Sequence, residues 1–427
     1  MKKLISSALA LAMICSLTAC SGSSSAPGDT SNPSGEASLG VDEIKIGIVA
    51  PQTGSSANLG VSSLRGVELA VEDINAEGGI AGVPVTVVYR DDAGDPTRSL
   101  TYTEELIYNE EVDFLIGQAN SACAAATVEL TNAEKVIVVH NCASTTAAID
   151  AEKYPYSFRV NAPNHLQAEA LVNLALESGF TEALFLGDTS DLGITGIASL
   201  EQYAQENGLT SLGSVTYVAN DADLSAVANA IQSSGAKCVL SFALGVDAAK
   251  IMTALDRIGY LDKVTLIGYT GTVSPSVSAL TQDLDLGTCY GVFPLDTTIP
   301  AGSDHLLDLI QPLYEKINER FGHFTTDGTG RTYSTGNLMR AYDAVQLIKF
   351  AVEGAGTLDP DAVSDYIEQH GSEFESFIGP EPYRFSPEEH DGFNPDNMVP
   401  ISLTEKPDDG VNYFGDVYAG VEITPIA

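Results

Sequence analysis

The chain contains no tryptophan, aromatic residues make up only 7% of its 427 residues, and 20 lysines and arginines face 58 aspartates and glutamates. The resulting net charge of −38 argues against nucleic acid, whose phosphates demand Lys and Arg, and against a basic patch for anionic lipid. Six cysteines occur without CxxC spacing, and HExxH is missing too, so zinc chemistry has no motif to rest on. A GxSxG elbow and a Walker loop are also lacking, and no nucleophile can be paired with a base by motif. No cofactor is therefore expected, and an extracytoplasmic hydrolase is a weak reading. Beyond Leu17 no apolar run is long enough to span a bilayer. What is present is ample apolar content, 44% of residues, and a length that suggests two lobes rather than one core.

Lys2 and Lys3 precede an apolar run from Leu4 to Leu17, the layout of a secretory signal and short for a spanning helix. The run closes on Leu17-Thr18-Ala19-Cys20, which resembles the bacterial lipobox. That resemblance implies a signal peptide over 1–19, cleavage before Cys20 and lipid attachment to its sulfur. Loss of Lys2 and Lys3 would leave 18 basic against 58 acidic residues, a net charge of −40. Residues 20–40, rich in Ser, Gly, Pro, Asn and Asp, read as a flexible tether that holds the body outside the membrane.

From Val41 onward, strand-like runs alternate with helical periods. Ile44 to Val49 is a strand; Leu64, Val67, Val71 and Ile74 are spaced as one helix face, and Gly78-Gly79 ends it. Val85 to Tyr89 is the next strand. Val112 to Ala126, VDFLIGQANSACAAA, reads as a buried strand feeding a helix capped by Ser121. The strand Val136 to Val139 then runs into His140-Asn141-Cys142-Ala143-Ser144-Thr145. Two adjacent strand-end turns bearing hydroxyls, one opening a helix whose first N–H groups lack partners, make a plausible floor for a small polar ligand. Ordinary capping is the alternative for Ser121 and Ser144 and, taken singly, the one that the frequency of such caps favours.

An extended segment from Tyr154 to Pro163 reads as a crossing, after which strands and helices alternate again up to Tyr269. Two such series in one chain predict an α/β protein of two doubly wound parallel-sheet lobes. Thr288 to Pro294 could cross back, and helices at His305–Phe321 and Thr335–Glu353 would complete the first lobe. The tail would then return to the second, with strand candidates at Phe385 and Val399–Leu403. The expected layout is 41–158 with 295–372, and 159–294 with 373–427. His140 could meet a ligand or be packed and satisfied. His390, between Glu389 and Asp391, reads as a solvated cluster. Cys123 and Cys142 could pair in an oxidising compartment, while Cys238 and Cys289 look like buried strand thiols.

These segments in combination resemble a known family. IKIGIVAPQTG (Ile44–Gly54), RGVELAVEDINAEGGIAG (Arg65–Gly82), VVYRDDAGDP (Val87–Pro96), FLIGQANSACAAA and IVVHNCAST are similar to the branched-chain amino-acid binding proteins, type I solute receptors of ABC transporters. Weaker similarity continues through LFLGDTSDLG (Leu184–Gly193) to FIGPEPYRFSP (Phe377–Pro387). The resemblance implies two lobes joined by three hinge crossings and closing on a ligand. It implies that the amino acid's carboxylate is held by Ser121 or Ala122, by the backbone of Cys142, and by Ser144 and Thr145. Family tyrosines that wall the pocket match Leu59 and Leu192, and the acidic residue that receives the α-ammonium matches Thr270. A buried ammonium needs an anionic partner, so Asp188, Asp191 or Asp247 would have to substitute, or the ligand has no amino group. The lipobox and the family together imply a lipid-anchored monomer on the extracytoplasmic face of a bacterial cell membrane. Its partners would be an amino acid or related small molecule and the ABC permease, with the membrane touched only through the lipid and no nucleic acid. The alternative is a sensing subunit of the same fold that reports occupancy to a separate receptor.

Overall fold

The computed structural model describes residues 39–403 and 419–420, apart from 55, 220, 273–276, 278–279, 295–298, 301–311, 314, 318, 322–334, 378 and 380. The expected signal peptide, Cys20 and most of the expected tether lie outside the described residues, as does most of the helix expected at 305–321. No helix among the described residues is long and apolar enough to cross a membrane.

The first half builds a sheet by strict alternation. Strands β1 (Ile44–Val49), β2 (Val85–Arg90), β3 (Phe114–Ile116), β4 (Ile137–His140) and β5 (Ser157–Arg159) are interleaved with helices α1 (Ala57–Ala76), α2 (Pro96–Tyr108) and α3 (Ser121–Ala133). Their order in the sheet is β2-β1-β3-β4-β5, every pair parallel. Because successive side chains of a strand point to opposite faces, Ile44, Ile46 and Ile48 enter one core with α1. Val49, Leu115 and Val138 enter another with Leu106 of α2. Gly78 and Gly79 follow α1 with φ of +108° and +88°, a region that favours glycine and stops the helix.

The second half repeats the pattern. It runs through α4 (Asn164–Glu177), β6 (Glu182–Asp188), α5 (Asp191–Asn207), β7 (Thr210–Tyr217), α6 (Ser225–Ser234), β8 (Cys238–Phe242), α7 (Gly245–Arg257), β9 (Thr265–Gly268) and β10 (Cys289–Pro294). With the short β11 (Ile299–Pro300), β12 (Met398–Ser402) and β13 (Ala419–Gly420) these form one sheet ordered β11-β13-β12-β10-β9-β8-β6-β7. It is parallel except that β12 runs against β10 and β13. Separate apolar cores lie on its two faces. The sheets and interleaved helices agree with the expected α/β class. In the segment Thr288 to Pro294, expected to cross back, Cys289–Pro294 is instead strand β10, paired with β9 and β12 inside the second sheet.

Helices α8 (Thr335–Ala355) and α9 (Pro360–His370) return to the first core, α8 lying along α1. The two backbones meet at Gly66, where a Cβ would stand 2.1 Å from the Leu338 carbonyl oxygen and 2.9 Å from Ala341 Cβ. The segment after 373 differs from expectation. Phe374, Tyr383, Phe385 and Phe393 all belong to the first core, so the chain joins the second sheet only at β12, and Phe385 is a core residue rather than part of a strand. Buried polar anchors hold it there: Asp343 of α8 accepts from Ser376 Oγ at 2.9 Å, from Phe377 N at 2.8 Å and from the Tyr383 hydroxyl. His390 is likewise not solvated. It is 1% exposed, stacks on Phe158, and its ring nitrogens lie 3.0 Å from Ser157 O and 3.0 Å from Glu368 Oε1.

The segments around Arg159 and His390 run side by side. Arg159 N donates to His390 O and Gly392 N donates to Arg159 O, both at 2.9 Å. The Arg159 guanidinium, 1% exposed, pairs with Asp391, 6% exposed, and His165 Nε2 lies 3.5 Å from the same carboxylate.

His140 at the end of β4 is packed inside, 2% exposed, with Nε2 3.2 Å from Ser157 Oγ. Burial, helped by the Arg159 charge, pushes its pKa down from 6.5 to about 3. The unfolded chain takes up this proton near pH 6.5 and the folded chain does not. The contribution to stability is therefore complete above pH 6.5 and lost as the pH falls toward 3, by about 1.4 kcal/mol per pH unit. His140→Asn is expected to flatten the acid limb of Tm against pH between 6.5 and 4, measured by calorimetry.

Candidate functional site

The carboxyl ends of the strands, where open α/β sheets place their ligands, meet in a cavity of about 390 Å³, within the range of small-molecule sites. Both sheets contribute walls, and so do the first crossing and α8. Leu59, Cys142 and Ser144 line it from the first sheet, Leu192 and Thr270 from the second. Five positions singled out in the sequence are thus brought to one space.

Ser121 lies one bond behind it. The helix α3 begins with Asn120, not Ser121, at the capping position, and Asn120 makes no side-chain cap bond. Ser121 Oγ instead accepts from Ser144 N at 3.3 Å, tying the two strand-end turns together. Ala122 is exposed and is not among the residues lining the cavity. Thr145 is not among them either: its hydroxyl accepts from Ala147 N at 3.1 Å and its carbonyl from Arg159 Nη1 at 2.6 Å, so it is spent on shaping the turn. His140 does not line the cavity.

The two thiols of the adjacent turns are both free. Cys123 sits against Asp92 and Ser99, and burial raises its pKa to about 12. Cys142 faces Asn337 and Arg340; burial pushes its thiol up to about 11 against the opposing pull of the Arg340 charge. The side chains thus have different neighbours, and neither is a thiolate at neutral pH.

Side chains that the sequence reading missed complete the walls. Asn161 and Gln167 flank the start of α4, and Asn337 and Arg340 come from α8. Arg340 Nη1 donates to Asn161 Oδ1, and Asn161 Nδ2 donates to the Cys142 carbonyl at 2.7 Å. Gln167 Oε1 accepts from Thr270 N at 3.1 Å and from Thr270 Oγ1 at 2.8 Å. This chain of bonds runs from α8 through the crossing, and Gln167 closes a second one onto the second sheet. The signal for Arg340 was present: it stands among Leu338, Met339, Ala341 and Tyr342, and a charge inside an apolar helix face is rarely idle.

Of the acids considered as replacements at the Thr270 position, Asp188 and Asp247 do not line the cavity. Asp188 accepts from Ser190 N at 2.8 Å and from its hydroxyl, and Asp247 pairs with Lys250 at 3.1 Å. The side chain of Asp191 lies outside the described residues.

Comparison with known proteins follows the same outline. A family model described as periplasmic binding protein matches residues 43–402. A Leu/Ile/Val-binding protein homolog 3 of Brucella melitensis is 26% identical over 346 residues, 81% of this chain and 88% of that protein. The branched-chain amino acid transporter substrate binding protein LivJ of Streptococcus pneumoniae, solved with isoleucine, superposes with a TM-score of 0.63 at 18% identity, over 84% of this chain and 96% of its own. A solute binding protein of an ABC transporter from Rhodopseudomonas palustris, solved with 3,4-dihydroxy benzoic acid, gives 0.63 at 18% identity, over 87% and 95%. With the family model spanning nearly all of the folded body, the chain belongs to the periplasmic binding protein family.

Proposed function

We propose that the protein is the extracytoplasmic solute-binding component of an ABC importer, not an enzyme, and that it delivers an amino acid of branched-chain type, or a related small carboxylate or amide, to a membrane permease. The observation that carries this reading is a cavity walled by both sheets and by the crossing between them. Each lobe alone offers half a site, so a ligand that bridges them stabilises the closed state by the difference in its contacts. The named relatives point the same way: one homologue is described as Leu/Ile/Val-binding and one neighbour was solved with isoleucine. The neighbour solved with 3,4-dihydroxy benzoic acid widens the range of solutes the fold holds.

The anchoring belongs to the same proposal. Residues 1–19 are read as a signal peptide and Cys20 as the lipidated residue, with 20–40 the tether of a monomer held at the outer face of the cell membrane. Mass spectrometry of the mature protein tests this: a lipid-modified N-terminal Cys20 is expected, and an unmodified Met1 would refute it.

The placement of the site is tested by removing its polar floor. Ser121→Ala with Ser144→Ala is expected to weaken binding of the solute, identified by mass spectrometry of what the denatured protein releases, at least tenfold, on the order of 1.4 kcal/mol, in titration calorimetry. Unchanged affinity would move the site elsewhere.

A further inference from the structure

We infer that the solute is a small, largely apolar monocarboxylic acid without an α-ammonium group, and that Arg340 is the residue that selects it. This rests on the solute-binding reading above and names its substrate class.

Among the described residues that line the cavity, Arg340 carries the only formal charge. The sign is opposite to that of the protein, whose net charge is −38. An overall acidic surface repels anions, so a guanidinium lining the cavity, with no carboxylate beside it among the described lining residues, supplies the local attraction that an acid needs and disfavours an ammonium. Guanidinium is also the group best matched to a carboxylate, which it can bind through two parallel bonds.

No carboxylate lines the cavity among the described residues, and two of its amide oxygens are already engaged. Asn161 Oδ1 receives Arg340 Nη1. Gln167 Oε1 receives both the Thr270 amide and its hydroxyl. Asp343, one turn along α8 from Arg340, is fully buried and does not line the cavity. It accepts from Ser376, Phe377 and Tyr383 of the segment beyond α9. Threonine at 270 completes the pattern, because its hydroxyl is turned to Gln167 and offers no charge. The rest of the solute meets Leu59, Leu192 and Phe293, apolar walls that suit an aliphatic or aromatic body.

The test compares acids that differ only at Cα. The full, lipid-bearing chain in detergent is titrated with 4-methyl-2-oxopentanoate against L-leucine, and with phenylpyruvate against L-phenylalanine. In at least one pair the oxo acid is expected to bind at least tenfold more tightly than the amino acid. Arg340→Gln is expected to reduce that oxo acid's affinity at least thirtyfold, and Arg340→Lys, which keeps the charge but not the paired geometry, to restore part of it. Should R340Q fail to fold, the R340K titration and the wild-type pair preference still decide the matter. Preference for the amino acids, or equal affinity within each pair, overturns the inference and leaves the solute-binding reading standing. An oxo-acid preference that survives in R340Q overturns the role of Arg340. No binding of any of the four also overturns the inference, and failure of the serine double variant to weaken solute binding then overturns the solute-binding reading as well.

Discussion

Asp391→Ala is expected to destabilise the protein by about 3–5 kcal/mol, the usual penalty for stripping one partner from a buried ion pair. The residue left behind is Arg159, 1% exposed at its side chain, and no solvent can take over the lost carboxylate. Chemical denaturation followed by far-UV circular dichroism would show the loss as a lower midpoint. Replacing both members with apolar residues of similar size, Arg159→Met with Asp391→Leu, is expected to recover much of it, because the desolvation penalty disappears along with the attraction. A mere surface pair would show neither behaviour, its removal lying within about 1 kcal/mol. The pair also bears on binding. Arg159 Nη1 holds the carbonyl of Thr145 at 2.6 Å and that of Ala143 at 3.4 Å, so the guanidinium braces the turn that presents Ser144. Asp391→Asn, which keeps the shape and removes the charge, is therefore expected to weaken ligand binding along with stability.

The second large effect is expected at Gly66. On an open helix face, Gly→Ala gains about 1 kcal/mol of helix propensity, so the sign of the change is diagnostic. Here a Cβ would come within 2.1 Å of the Leu338 carbonyl oxygen, backbone that cannot rotate aside, and α1 would have to part from α8. Gly66→Leu is expected to cost about 3 kcal/mol, the upper part of the overpacking range. Since Asn337 and Arg340 sit on the turn flanking Leu338, any separation of the helices also draws these two groups back from the cavity. Ligand affinity is expected to fall with stability, and a variant that bound normally at an unchanged Tm would show that the helices do not touch here.

The alternation of strands and helices was legible because it is local. Apolar residues two apart in Ile44–Val49 and three and four apart in Leu64–Ile74 report their own burial without knowledge of the rest of the chain. The two strand-end turns were legible for the same reason, though the bond that ties Ser144 to Ser121 was not. The choice of cap was not: Asn120 and Ser121 are adjacent and both are good cap residues, so only the backbone decides. What escaped depends on partners far away in sequence. His390 and its neighbours Glu389 and Asp391 look solvated until Arg159, 232 positions earlier, neutralises the aspartate and lets the segment be buried. The bond from Arg340 to Asn161 spans 179 positions, and no window of helical periodicity contains both ends. The same blindness misplaced residues 373–393, whose aromatic side chains are equally at home in either core until Asp343 and Arg159 fix which one.

The first sheet is finished by α8, a helix that the chain supplies only after the whole of the α/β series from Asn164 to Pro294. Growing at 5–20 residues per second, a nascent polypeptide would carry Ile44, Ile46, Ile48 and their neighbours without the α8 part of their cover for on the order of ten seconds or more. Refolding from denaturant faces the same delay as a long loop to close before that layer can seal. A chaperone that shields apolar strands would have its main client here in the early segment, and Arg340, arriving with the late one, would make solute capture the last property the molecule acquires.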